Sequence, residues 1–142
     1  MLDIRMFESS DADILCPDAI DKSLQKNEVL WKAWAKVNAR SGPAYTAVTD
    51  TGELIAAAGI RLVREGVGNV WMVMSPKVSG YKKAVLRWLK TMIPIIMEEF
   101  GLKKLRTDSR KGFAASQRLL EHIGFKRLRK ETKTNYFYIL EV

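Results

Sequence analysis

Leu2, Ile4 and Met6 alternate with Asp3, Arg5 and Phe7 at the start of the chain, which predicts a first strand with at least one apolar face. Asp11 to Cys16 reads as a turn or a short helical start. Pro17-Asp18 then opens a helical region over residues 18–40, with Ile20, Leu24, Val29, Leu30, Ala33, Trp34 and Val37 spaced for one or two amphipathic helices. Ser41-Gly42-Pro43 stops it. Ala44–Thr49 and Glu53–Val63 predict two strands around an Asp50-Thr51-Gly52 turn. Arg64 to Gly68 predicts a second turn and Asn69–Met74 a third strand, an antiparallel meander closed by Ser75 and Pro76.

The second half is written in longer periods. Tyr81–Phe100 predicts a helix with Val85, Trp88, Leu89, Met92, Ile96 and Met97 on one side and Gly101 at its C-terminal cap. Pro94 lies inside it and is expected to kink or interrupt it, because proline lacks an N–H and its ring crowds the preceding turn. Leu105–Thr107 predicts a short strand. Gly112–Ile123 predicts a helix carrying Ala115, Leu119 and Leu120 and ended by Gly124. Phe125–Thr132 and Asn135–Leu140 predict a hairpin across Lys133-Thr134. The order β, α(α), β-β-β, α, β, α, β-β is that of one α+β domain over residues 1–142. It implies a mixed, mainly antiparallel sheet of about six to seven strands flanked by about four helices. Parallel pairing is expected only where the helices at 81–100 and 112–123 cross over between strands.

Composition narrows the class. The chain has 142 residues, 47% hydrophobic and 28% charged, so it can bury a core without metals or disulfides and is neither disordered nor collagen-like. The longest clearly apolar run, Leu54 to Ile60, is too short for a membrane span, and the N-terminus lacks the pattern of a secretory signal. Cys16 is the only cysteine, which excludes an internal disulfide and suits a reducing, cytoplasmic compartment. His122 is the only histidine, and no metal site is expected. The net charge of +8 is uneven: residues 1–76 sum to −2 and residues 77–142 to +10. A basic second half suits a phosphate-rich cofactor, nucleic acid or a membrane surface, and equally a plain solvated face.

Two segments could carry chemistry. Ser75-Pro76-Lys77-Val78-Ser79-Gly80-Tyr81-Lys82-Lys83 joins a strand to a helix, and such a junction exposes unpaired N–H groups at the positive end of the helix dipole, where a diphosphate can bind. Ser79 and Gly80 equally fit a helix cap and an ordinary loop residue. The second segment, Glu121-His122-Ile123-Gly124-Phe125, fits a helix stop followed by a core aromatic.

In order and spacing these motifs resemble the GCN5-related N-acetyltransferase (GNAT) family, over nearly the whole chain. Ile4-Arg5 followed by Ser10-Asp11 resembles the family's first strand and turn. Val73-x-x-Pro76, then Gly80 and a long helix, resembles its acyl-CoA strand and pyrophosphate loop, and Leu119 to Phe125 its late helix ending in Leu-Gly-Phe. The resemblance implies acetyl-CoA, or another acyl-CoA, as cofactor. The Val73 and Met74 backbone would hold the pantetheine amides, the N–H groups from Ser79 through Gly80, Tyr81 and Lys82 to Lys83 would hold the diphosphate, and an amine would be the acceptor.

The chain also departs from the family pattern. With Gly80 at the first glycine of the loop, Lys77 takes the Gln/Arg position and Lys82 the final small one. A shift of two places Ala84 last but sets Lys82 at the first glycine. In the late helix the family's Asn, small residue and general-acid Tyr fall on Phe113, Ser116 and Leu120, and leucine cannot protonate a thiolate.

A narrower likeness lies in Leu2-Asp3-Ile4-Arg5, Ser79-Gly80 before a basic helix, and Leu119-Leu120-x-x-Ile123-Gly124. These segments are similar to the GNAT-like internal virion proteins of short-tailed bacteriophages, which implies a role in the virion or in the host cytoplasm, against a phage or host protein. Asp108 is the candidate base, acting through water. Trp31, Trp34, Trp71 and Trp88 have the phases of core residues. Lys126, Arg127, Arg129 and Lys130 with Tyr136, Phe137 and Tyr138 mix cations and aromatics as nucleic-acid binders do, but fit an ordinary basic hairpin better. Cys16 carries no thiol-enzyme signature. Two functions follow as expectations: an acetyl-CoA-dependent N-acetyltransferase with a degenerate site, and a catalytically weak or inactive phage scaffold.

Overall fold

A computed structural model describes residues 2–17, 19–20 and 28–142. Its strands are β1 (Leu2–Met6), β2 (Ala44–Thr49), β3 (Leu54–Arg64), β4 (Val67–Met74), β5 (Lys104–Arg110), β6 (Lys126–Glu131) and β7 (Asn135–Glu141). The helices among the described residues are α1 (Ala12–Leu15), α2 (Glu28–Arg40), α3 (Lys82–Glu99) and α4 (Ala114–Ile123), with 3-10 turns at Ser9–Asp11 and Pro76–Gly80. The predicted helical stretch at residue 18 and residues 21–27 lies outside the described residues. Hydrogen bonding orders the strands β1-β2-β3-β4-β5-β7-β6. The β1/β2, β2/β3, β5/β7 and β6/β7 pairs are antiparallel and β4/β5 is parallel, so the sheet is mixed and mainly antiparallel, as the pattern predicts. The chain packs as two compact units, one within Met1–Arg61 and Trp71–Val85, the other within Leu62–Val70 and Leu86–Val142.

In the first unit, Ile55 to Ile60 of β3 is buried on both faces, and its small residues (Ala56, Ala57, Ala58, Gly59) let neighbours approach closely. Phe7, Leu15, Cys16, Ala35, Ala57, Trp71 and Val73 form its core. Trp71 meets Phe7 and Trp34 edge-on, each ring centroid 5.0 Å away. Gly59 makes this possible: a Cβ there would lie 2.7 Å from Trp71 Cζ2 and 2.8 Å from the Pro43 carbonyl oxygen.

α2 departs from its predicted phase. It buries Ala35 and Asn38, half-buries Trp31 and Trp34, and leaves Val29 (77%), Leu30 (66%) and Val37 (50%) exposed. Ala35 is small enough for close approach and the flanking indoles fill the space around it, which outweighs the aliphatic count on the other face.

The turn after β1 is held by Asp11. Arg5 grips its carboxylate with both terminal nitrogens at 2.8 and 3.0 Å, and the Glu8 N–H (3.0 Å) and Thr46 hydroxyl (2.8 Å) donate to Oδ2. Burial pushes this carboxyl upward most strongly of any single influence. The Arg5, Glu8 and Thr46 hydrogen bonds together outweigh it and hold the group below its ordinary value.

In the second unit β4 starts at Val67, two residues before the predicted Asn69, because Glu65-Gly66 makes the turn alone with Gly66 at φ +77°. α3 runs through Pro94 without interruption. Pro94 and Lys90, the residue whose carbonyl loses its donor, are both exposed, so no polar group is trapped in the core. The helix closes at Gly101 (φ +64°), whose N–H reaches Glu98 O at 3.2 Å while the Leu102 N–H reaches Met97 O at 2.7 Å. Its buried stripe is Val85, Leu89, Ile93, Ile96 and Met97, and Trp88 and Met92 are half-buried. β5 is longer than predicted and takes in Asp108. α3 does lead to a parallel neighbour, Val67–Asn69 against Lys104–Arg106, but α4 does not, because β7 pairs between β5 and β6.

Two substitutions test this packing. Gly59→Ala forces Trp71 or the Pro43 backbone to move and should cost about 1–3 kcal/mol in chemical denaturation, while Gly112→Ala, whose Cβ would meet no atom within 4 Å, should be near neutral.

Asp11→Asn should cost about 1–3 kcal/mol at neutral pH. Because the folded carboxyl lies below its unfolded value, its contribution is present above the usual carboxylate range and lost as pH falls through it. Denaturation midpoints against pH should therefore fall more steeply on the acid side for the wild type than for Asp11→Asn.

Candidate functional site

The junction of β4 and α3 is built by local hydrogen bonds. The Ser75 N–H donates to Ile55 O (2.9 Å), and the Ser75 hydroxyl caps the following turn by accepting from the Lys77 N–H (3.2 Å), with Pro76 at the first position. The Val78 N–H donates to Ser75 O (3.0 Å) and the Tyr81 N–H to Val78 O (2.8 Å). The segment is thus a 3-10 turn where an open loop is predicted, Ser75 caps that turn, Ser79 lies within it, and the Tyr81 N–H is already spent. Val85 is the first residue of α3 to bond back, to Tyr81 O at 3.0 Å. Among the described residues, the N–H groups of Lys82, Lys83 and Ala84 have no backbone acceptor.

These three N–H groups head an 18-residue helix with no acidic residue in its first turn. Lys82 and Lys83 are exposed beside them, and a Cβ at Gly80 would meet nothing within 4 Å, so the space above the turn is open. Ser79 and Gly80 are exposed and Tyr81 half-buried. Lys77 points its ammonium at Glu53, 2.7 Å away. Val73 is buried, and the Met74 carbonyl accepts from the Ile20 N–H at 2.8 Å. The parallel register of β4 with β5 ends at Asn69, and the Thr107 hydroxyl of β5 donates to the next carbonyl, Val70 O, at 3.0 Å. This donor set suits an anionic group such as a diphosphate. The donors are N–H groups and ammoniums and no carboxylate of the helix's first turn opposes them.

The second unit holds the remaining candidates. Asp108 is exposed on β5 and accepts from Asn135 Nδ2 at 2.6 Å. Leu120 is 1% exposed in the core, so its position offers no proton donor. Ser116 meets the buried Ser109 hydroxyl at 3.1 Å. The Tyr136 ring is covered by Arg127 and Lys111 at 4.3 and 5.2 Å, and Lys111 also pairs with Glu131 at 2.6 Å, which leaves an ordinary basic hairpin and no bare stacking ring at Tyr136.

Tyr138, one of the aromatics of that basic hairpin, is buried and not displayed: it is 1% exposed and its hydroxyl has no partner among the described residues. Burial pushes that phenol up, against a downward pull from Arg127. Cys16 is fully buried, and burial with the nearby Asp13 pushes its thiol to about 11, so it is inert. Among the described residues no group of three His, Cys, Asp or Glu is placed to hold a metal ion, and no helix is long and apolar enough to cross a membrane.

No protein-family model and no curated protein sequence matches the chain. Solved structures do. A candidate phosphinothricin N-acetyltransferase superposes with a TM-score of 0.77 at 17% identity, over 100% of this chain and 99% of its own. A GNAT-family acetyltransferase from Bacillus anthracis gives 0.71 at 17%, over 99% and 94%. A chimera of the spermidine N-acetyltransferase SpeG from Vibrio cholerae gives 0.73 at 12%, over 99% and 95%. The chain has the fold of the GNAT acetyltransferases.

Removing the unpartnered hydroxyl in Tyr138→Phe should raise stability by about 1 kcal/mol in chemical denaturation, since an orphaned buried donor is a cost.

Proposed function

We propose that this protein binds acetyl-CoA, or a related acyl-CoA, and moves the acyl group to an amine. The observation that carries the reading is the set of three open N–H groups at the start of α3, flanked by Lys82 and Lys83 beneath the open space at Gly80. In this reading Lys82, Lys83 and Ala84 hold the diphosphate through backbone N–H groups, and the two ammoniums add charge. The Val73–Met74 backbone lines up the amides of the pantetheine arm. Acetyl-CoA supplies the activated thioester: a C–N bond forms to the amine, the C–S bond breaks, the amine loses a proton and the sulfur leaves as thiolate or thiol. Asp108, an exposed carboxylate, is the group assigned to proton removal. Lys77, paired with Glu53, contributes less than its position in the motif suggests.

Leu120 favours a second reading. With a buried leucine where the family resemblance places the general acid, the fold could serve as an interaction scaffold, in a phage particle or in the infected cell. A positioned acid contributes about 10²–10⁴-fold, so its absence makes any transfer slow or dependent on another donor.

Calorimetric titration with acetyl-CoA separates the two. The acetyltransferase reading expects binding that Lys82→Glu with Lys83→Glu weakens roughly tenfold or more and makes less salt-dependent. It also expects thioester consumption that falls in Asp108→Asn. No binding at millimolar acetyl-CoA would leave the scaffold reading standing.

A further inference from the structure

Asn38 on α2 is 1% exposed, and Arg61 on β3 donates to its Oδ1 through Nε (3.1 Å) and Nη2 (2.7 Å). A guanidinium only donates, so this contact fixes the amide oxygen toward Arg61 and forbids the flipped amide. The Asn38 Nδ2 is therefore the atom left over, buried with no acceptor. On the same helix face the Trp31 Nε1 is buried and unpartnered, and so is the Nε1 of Trp71, the indole packed on Trp34. Among the described residues this unit thus holds three buried donors without an acceptor and, on Asn38, one arginine without a carboxylate.

Arg61 itself is half-buried, and no carboxylate pairs with it among the described residues, whereas Arg5 in the same unit has Asp11. Asn38 occupies its Nε/Nη2 edge. The Nη1/Nη2 end, whose parallel N–H bonds match the two oxygens of a carboxylate, is uncommitted. Trp71 stands two residues before Val73, so the cluster borders the strand segment given above to the acyl arm.

We propose that Arg61, positioned by Asn38, receives a carboxylate on the acceptor, so that the acceptor is an amino acid or a similar carboxylate-bearing amine and not a polyamine. A polycation would meet an unneutralised guanidinium there; a carboxylate supplies the anion and the paired oxygens that the free edge of Arg61 matches. The assignment rests on the acetyltransferase reading for the reaction, but the binding it describes can be measured without acetyl-CoA.

Thermal unfolding of the full chain is followed with each standard L-amino acid, with the corresponding amino-acid amides and with spermidine. The expected result is a raised midpoint with at least one L-amino acid, none with its amide or with spermidine, and loss of the shift in Arg61→Met. Asn38→Asp, which gives Arg61 an internal carboxylate and keeps the buried pair, should also lose it. In thioester consumption Arg61→Met should raise KM for that amino acid by about 10–100-fold, with kcat and the KM for its amide little changed. A shift with spermidine, equal shifts with acid and amide, no shift with any amino acid, or a shift that survives in both variants overturns the proposal. Absence of acetyl-CoA binding in calorimetry would instead remove the acetyltransferase reading, and the thermal shifts would still decide the carboxylate site.

Discussion

The first unit turns on one missing side chain. Because Gly59 has no Cβ, the Trp71 indole lies against β3 and beside the Pro43 carbonyl, and there it collects Phe7 from the end of β1 and Trp34 from α2. The Ile60 N–H bonds the same Pro43 carbonyl, so the chain leading into β2 is tied to the contact as well. A strand, a turn and a helix are thus registered by one aromatic ring, and their remaining polar groups fall where that register puts them. Asn38, one turn beyond Trp34, meets Arg61, two residues beyond Gly59. At the far end of β4, the Ser75 N–H closes on Ile55 O and starts the 3-10 turn that delivers α3.

The unit handles its charges in two ways. Asp11 is surrounded by four donated hydrogen bonds and paired with Arg5, an arrangement that is complete in itself and serves the fold. Arg61 and the three N–H groups at the start of α3 are incomplete: each presents donors or positive charge without an internal anion. Arg61 is held by the Asn38 amide oxygen and by no carboxylate among the described residues, and the proposal assigns that place to an anion from outside. The proposed diphosphate and the proposed carboxylate answer the same deficit at two points of one unit. The second unit, although it carries most of the positive charge, uses much of what surrounds Tyr136 internally, through Lys111, Glu131 and Arg127.

Much of the architecture is determined by the sequence alone, because it depends on local periodicity and on turn chemistry. Alternation sets β1, the Gly52 and Gly66 turns set the hairpins, and Gly101 and Gly124 end their helices in the left-handed conformation that glycine adopts without steric cost. The strand–helix junction at residues 75–83 was legible for the same reason, as was the unsuitability of Leu120 as a proton donor. Tertiary structure alone decided the rest. The burial phase of α2 depends on what it packs against, and a small residue between two indoles won over a longer aliphatic stripe. The place of β7 between β5 and β6 depends on long-range pairing. Which N–H groups at α3 stay open depends on the competing 3-10 turn, and the meeting of Asn38 with Arg61 joins residues far apart in the chain through a contact made by neither. Periodicity reports how a segment can sit against a neighbour, but only the folded chain supplies the neighbour, and here the unsatisfied donors that suggest a function exist only once it is present.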